Sequence, residues 1–146
     1  MNPSPSDPRV AEIVALFERL TPADLDRLHH WYAADALFKD PFNEVRGVPA
    51  IRAVFEHMFA SLDAPRFVVH QAVGSGDQWF LTWDFLFGFK RYASGAQCVR
   101  GATHLRFDAD GRVVMHRDYW DAAEELYEKL PVVGGLMRWL KRRARS

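Results

Sequence analysis

Tyr32-Ala33-Ala34-Asp35-Ala36-Leu37-Phe38-Lys39-Asp40-Pro41, followed by Gly47 and a helical run, is the stretch on which the fold turns. It puts a carboxylate where a helix hands over to a sheet. Asp40 lies among Leu37, Phe38, Pro41 and Phe42, so an inward-facing side chain would carry its charge into apolar surroundings. A carboxylate in such a place is the makings of a general acid or base. An Asp-Pro step equally suits a turn fixed by the aspartate side chain, and Asp35 is expected to cap or turn the chain.

Upstream of this stretch, residues 1–8 are polar, rich in Pro and Ser, and expected to be disordered. Arg9 to Leu20 carries Val10, Ile13, Val14, Leu16, Phe17 and Leu20 at helical spacing. Thr21-Pro22 opens a second helix, Thr21 as N-cap and Pro22 as first helical residue, running to about Ala33 with Leu25, Leu28, Trp31 and Tyr32 inward. A third helix starts near Val48 and puts Ile51, Val54, Phe55, Met58, Phe59 and Leu62 on one stripe.

Past Asp63-Ala64-Pro65 the period changes to two. Strands are expected at 66–72, 78–90, 97–107 and 112–121, separated by turns at Gly74-Ser75-Gly76-Asp77, Ala93-Ser94-Gly95 and Asp108-Ala109-Asp110-Gly111. Helices first and an antiparallel sheet afterwards make an α+β layout. Ala122 to Lys129 reads as one more short helix, Pro131 as its break, and Leu136 to Arg145 as a basic amphipathic tail. The domain therefore spans 9–130, with 131–146 as a C-terminal helix.

With 146 residues, 49% of them apolar and 14% aromatic, the chain can bury a substantial core but hardly two. Nineteen basic residues against nineteen acidic ones leave no chain-wide field for nucleic acid, so the expected partner is uncharged or small. The one cysteine, Cys98, excludes an internal disulfide and a cysteine-cluster metal site. The start lacks the basic and apolar regions of a signal peptide, and no apolar run reaches the roughly 18 residues that span a bilayer. A soluble, cytoplasmic protein is the expectation.

The run Gln78 to Lys90 has one wholly apolar face, Trp79, Leu81, Trp83, Phe85, Phe87 and Phe89, and an opposite face that is mostly apolar. Helices can wrap only one of them, so a homodimer built through the sheet is expected, with the pocket on the other face. On the last strand, period two puts Val114, His116, Asp118 and Trp120 on one face. With Asp40 and Asp84 these would form a cavity of three carboxylates and one imidazole amid aromatic walls, where at least one acid is protonated or paired with His116. For Asp84, a bond to Arg100 or another buried donor is the plainer expectation.

The residues Asp35-Ala36-x-Phe38-x-Asp40-Pro41, Gly47-Val48-x-Ala50-Ile51 and Arg112-Val113-Val114-Met115-His116-Arg117-Asp118-Tyr119-Trp120-Asp121 resemble the nuclear transport factor 2-like superfamily, in its SnoaL-like and ketosteroid isomerase-like branch. The resemblance implies an α+β cone, three N-terminal helices on a curved antiparallel sheet enclosing an apolar pocket. It carries Asp40 onto the isomerases' catalytic base. Their enolate-stabilising tyrosine and neutral acid correspond to Phe17 and Thr103, and phenylalanine cannot donate a hydrogen bond. Ordinary ketosteroid isomerisation is therefore not expected. Epoxide hydrolases of the superfamily use two aspartates, here matched by Asp84 and Asp118, bridged by an arginine whose position holds Thr82. SnoaL-like cyclases require less, an aspartate paired with a histidine.

The resulting expectation is a small hydrophobic ligand of polyketide, steroid or terpenoid type and cofactor-free acid–base chemistry of isomerase or cyclase kind. Asp40, Asp118 and His116 would be catalytic, with Phe17, Tyr32, Phe38, Phe55, Asp84, Thr103 and Trp120 about the substrate and no metal. The alternatives are a non-catalytic ligand-binding or dimeric interaction module and an epoxide hydrolase-like enzyme. The tail is expected to pack its apolar stripe over the cone, membrane contact being the lesser reading.

Overall fold

The computed structural model describes residues 6–90, 95–125 and 131–145, without the side chains of 131–134 and 137. Helix α1, Pro8–Glu18, begins earlier than its apolar periodicity suggests, because Asp7 caps it and Pro8 supplies a pre-set first turn. The Asp7 side chain accepts from Arg9 N–H at 2.9 Å. The Arg9 guanidinium spans Asp7 at 2.7 Å and Asp77 at 2.8 Å, tying the helix to the turn at Gly76-Asp77. The hydrogen bond from Arg9 holds the Asp7 carboxyl below its ordinary 3.8. Near that pH the unfolded chain binds more protons, so this contribution is present above pH 3.8 and is lost as pH falls further. Asp7→Ala is expected to cost about 1 kcal/mol at neutral pH. That difference should shrink in acid, as thermal melts of both proteins across pH would show.

Pro22–His30 is a 3₁₀ helix rather than an α-helix, and it stops before Tyr32. At three residues per turn Leu25, Leu28 and Trp31 fall on one side. The Val113 N–H then donates to the Trp31 carbonyl at 2.8 Å, and the sheet captures the chain. Strand β1, Tyr32–Lys39, is therefore a strand where helical spacing predicts a helix to about Ala33. Residues 40–43 turn it into β2, Glu44–Arg46, and α2, Val48–Ser61, follows. Gly47 takes φ +93°, which a side chain would strain, and its N–H donates to the Ala36 carbonyl at 2.8 Å.

The remaining strands are β3, Leu62–Ser75, β4, Gln78–Phe89, β5, Gln97–Phe107, and β6, Val113–Tyr119. They form one sheet in the order β2-β1-β6-β5-β4-β3, antiparallel except for the parallel pair β1 and β6. β3 starts four residues before the stretch whose alternation predicts it and runs through Pro65. The sheet tolerates a proline here because β3 is an edge strand and the register slips between Asp63 and Arg66. A second slip between Val69 and Gln71 bends the same strand. Such irregularities curve a sheet around helices. The concave face packs Leu81, Trp83, Phe87, Val99, Leu105 and Phe107 against Val10, Ile13, Phe17, Ile51 and Phe55 of the helices.

After β6, Ala122–Glu125 forms the short α3, and Pro131 opens α4, Pro131–Ala144, instead of breaking a helix. The expected disorder of residues 1–5, the turn residues 93–94 and the helical residues 126–129 lie outside the described residues. No described helix is long and apolar enough to cross a membrane.

Candidate functional site

Four strands bring one continuous hydrogen-bonded chain together inside the cone. The Trp83 indole N–H of β4 donates to Thr103 Oγ1 of β5 at 2.8 Å, and the Thr103 hydroxyl donates to Asp118 Oδ1 of β6 at 2.6 Å. His116 Nε2 lies 2.8 Å from the same Asp118 oxygen, and Tyr32 Oη of β1 lies 2.7 Å from His116 Nδ1. The roles follow from what each group can offer. An ionised Asp118 can only accept, so Nε2 carries the imidazole proton and Nδ1 accepts from the phenol. Burial, then the Asp118 charge, pushes the Tyr32 hydroxyl well above its ordinary 10, so it stays a donor. Tyr32, Thr103 and His116 are 1%, 2% and 3% exposed, and buried polar groups of this kind persist because each finds a partner.

Register explains the assembly. Leu105 pairs with His116 and Thr103 with Asp118, so period two sends all four inward. At Arg106–Phe107 the register slips, and the inward role passes to Val113 rather than the expected Val114. Phe38, beside His116 on β1, holds its ring 4.6 Å from the imidazole, and the Phe17 ring meets it edge-on at 5.5 Å. Gly101 faces Trp83 across the β4–β5 pair, where an added Cβ would come within 2.5 Å of the indole ring. The space that lets Trp83 reach Thr103 is a missing side chain.

Next to this chain is a cavity of about 260 Å³ lined by Phe38, Phe42, Phe55, Phe67, Trp83, Phe85, Phe87, Phe89 and Trp120, with Asp40, Asn43, His57, Ser61 and Asp118 as its polar groups. Asp118 Oδ1 is engaged twice, while Oδ2 has no hydrogen-bond partner among the described residues. Among the described residues no lysine or arginine lines the cavity, which is in keeping with an uncharged ligand.

The sequence-predicted residues divide in four. Asp118, Phe38, Phe55 and Trp120 line the cavity, and the Trp120 ring meets Phe42 edge-on at 5.5 Å. His116, Thr103, Tyr32 and Phe17 lie behind it, the first three acting through Asp118. Asp40 lines the cavity too, but its Oδ1 accepts from the Phe42 and Asn43 backbone N–H groups at 2.8 and 2.7 Å, and the Asn43 amide donates to both of its oxygens at 3.1 Å. It holds the 40–43 turn, the use that an Asp-Pro step suggests. Asp84 is not in the cavity. Alternation along β4 turns it to the convex face when Trp83 and Phe85 point inward, and its Oδ2 meets His70 Nε2 at 3.0 Å. Arg100 pairs instead with Glu125 at 2.9 Å. Asp84 and Asp118 therefore do not form the two-aspartate arrangement of an epoxide hydrolase. Trp83 as a donor escaped the sequence reading because it sits in an apolar run. Its pairing with Gly101 is set by the register of β4 against β5 and is not marked in residue order.

A family model described as a SnoaL-like domain matches residues 13–116. The chain belongs to the SnoaL-like domain family. No curated protein matches its sequence. Among solved structures, this SnoaL-like domain is similar to a protein of ketosteroid isomerase-like fold from Catenulispora acidiphila, crystallised with trimethylamine. The two share 20% identity at a TM-score of 0.69, over 86% of this chain and 92% of that one. An LEH-like epoxide hydrolase from M. tuberculosis is 16% identical at a TM-score of 0.65, over 92% and 93%. A protein proposed to be a SnoaL-like polyketide cyclase, from Shewanella putrefaciens, is 19% identical at 0.69, over 84% and 98%. At these identities the likeness establishes the fold. The neighbours' differing chemistries leave function to the site itself.

Proposed function

We propose that this SnoaL-like domain binds a small hydrophobic, carbonyl-bearing molecule and moves a proton on it without a cofactor, as an isomerase or cyclase does. The observation that carries this reading is Asp118, a carboxylate on the wall of an aromatic cavity with Oδ1 anchored by Thr103 and His116 and Oδ2 without a hydrogen-bond partner among the described residues. Anchoring one oxygen orients the other, which is what proton transfer from a carbon next to a carbonyl requires. In that step the substrate C–H bond breaks, its electron pair delocalises onto the carbonyl oxygen, and Oδ2 takes the proton for return to another atom. Thr103, His116 and Tyr32 are positioning residues. Asp118 is preferred to Asp40 as the proton carrier because both Asp40 oxygens accept from the turn, whereas Asp118 Oδ2 accepts from no described residue.

The test is exchange of α-protons for deuterium, followed by NMR, over a panel of hydrophobic ketones with polyketide-like and steroid members. Exchange of at least one ketone above the buffer rate is expected. Binding without any exchange across the panel would favour the non-catalytic ligand-binding module.

A homodimer through the convex face of the sheet belongs to the same reading. Val73, Phe80 and Tyr119 are exposed there, and Phe80 stacks on His104 at 4.4 Å. Light scattering is expected to give twice the chain mass, and Phe80→Glu to give a monomer by placing a charge in the contact. A monomeric parent protein would refute the dimer and leave the cavity untouched.

A further inference from the structure

Helix α4 carries Leu136, Trp139 and Leu140 at positions i, i+3 and i+4, one stripe of the helix, and these are 55%, 46% and 45% exposed. These three side chains are about half exposed rather than covered by the cone. Arg143 continues it one turn on, its guanidinium over the Trp139 ring at 5.3 Å. Arg138, Lys141, Arg142 and Arg145 flank it, so residues 131–146 hold five of the nineteen basic residues and none of the nineteen acidic ones. The remainder of the chain accordingly carries an excess of five negative charges. Lys141 reaches Glu124 at 3.9 Å, an exposed pair that is weak.

We propose that α4 docks the protein on an anionic lipid surface, lying in the plane of the interface. Three large apolar side chains would enter the headgroup boundary while the surrounding cations meet lipid phosphates, their aliphatic stems extending along the apolar face. A tryptophan in mid-stripe suits that depth, since an indole is apolar in body and polar at one edge. Charge argues for lipid over a fitted protein partner. The charges that α4 itself carries have one sign, whereas protein interfaces use both signs to set a register. The acidic remainder would be repelled by the same surface, so contact is confined to α4 and the body is held off the membrane. The helix is too short and too basic to insert across the bilayer.

The experiment is co-sedimentation of the full chain with vesicles of phosphatidylcholine alone and of phosphatidylcholine mixed with phosphatidylglycerol, at low and high salt. Binding to the mixed vesicles is expected to exceed binding to phosphatidylcholine by about tenfold or more and to weaken with salt. Two variants should lose it with circular dichroism unchanged, Leu136→Ser/Trp139→Ser/Leu140→Ser and Arg142→Glu/Arg143→Glu. Equal binding to both vesicle types, or unimpaired binding by the charge-reversed variant, would overturn the proposal. So would failure to bind by a protein whose association state falls when the apolar stripe is replaced, since a second copy would then cover this face.

Discussion

Asp118→Asn is expected to lower α-proton exchange by at least about 100-fold, the usual size of a general acid–base contribution, with ligand affinity within a few-fold of the parent. The substitution keeps the shape of the side chain. An amide oxygen in place of Oδ1 can still accept from Thr103 and from His116 Nε2, so the chain Trp83–Thr103–Asp118–His116–Tyr32 survives in outline. What disappears is a basic oxygen at the position of Oδ2. A catalytic role therefore appears as a loss of turnover at nearly unchanged binding, whereas a purely structural role would move stability and affinity together. Asp40→Asn is the informative contrast. All three donors of the 40–43 turn reach Asp40 Oδ1, and the Asn43 amide reaches Oδ2 as well, so an asparagine here keeps the bonds at Oδ1 but sets its NH2 group against that of Asn43; this variant should lose some stability while keeping its exchange rate. If Asp40→Asn abolished exchange and Asp118→Asn did not, the roles proposed for the two acids would have to be exchanged.

His116→Ala is expected to cost roughly 3–5 kcal/mol of stability, the range for deleting a large buried side chain, and to lower the melting temperature by on the order of 10 °C. Two losses coincide. The cavity left between Phe17, Phe38 and Tyr32 cannot collapse onto a sheet whose ladder fixes its spacing. The Tyr32 hydroxyl and one anchor of Asp118 also lose their partner, and leaving a buried group unsatisfied costs more than the bond itself contributed. Tyr32→Phe alone should be destabilising by about 1–3 kcal/mol for the same reason, and the double variant should fall short of the sum because the two share one bond. Additive losses in denaturant melts would mean that Tyr32 and His116 do not act as a unit.

Much of the architecture is legible in residue order. Helical spacing over Val10, Ile13 and Phe17 and over Ile51 and Phe55, and the wholly apolar face at every second residue from Trp79 to Phe89, reflect which face of each element meets the core, and that is a local property. Alternation likewise sets His116 and Asp118 on one face of β6 with Thr103 opposite. Boundaries and partners are not local. Tyr32 to Lys39 became a strand because β6, more than seventy residues on, offered a parallel partner at Val113 and His116. Pro65 could remain inside β3 because the strand lies at the sheet edge beside a register slip, which residue order does not mark.

The divided fate of the acidic residues has the same cause. From sequence, Asp40, Asp84 and Asp118 are three carboxylates among apolar neighbours and look alike. Alternation and apolar company constrain a side chain to a face, and this much the amino-acid sequence determined alone: an α+β layout, a concave aromatic wall, and an aspartate and a histidine on one strand. Which carboxylate faces the cavity with an unshared oxygen was decided only when four strands met. Hydrogen bonds act over about 3 Å, and their partners here lie up to 84 residues apart in the chain. Thus Asp40 found its donors two and three residues away and became a turn, Asp84 found His70 on the convex face, and Asp118 found Thr103 and His116 at the cavity.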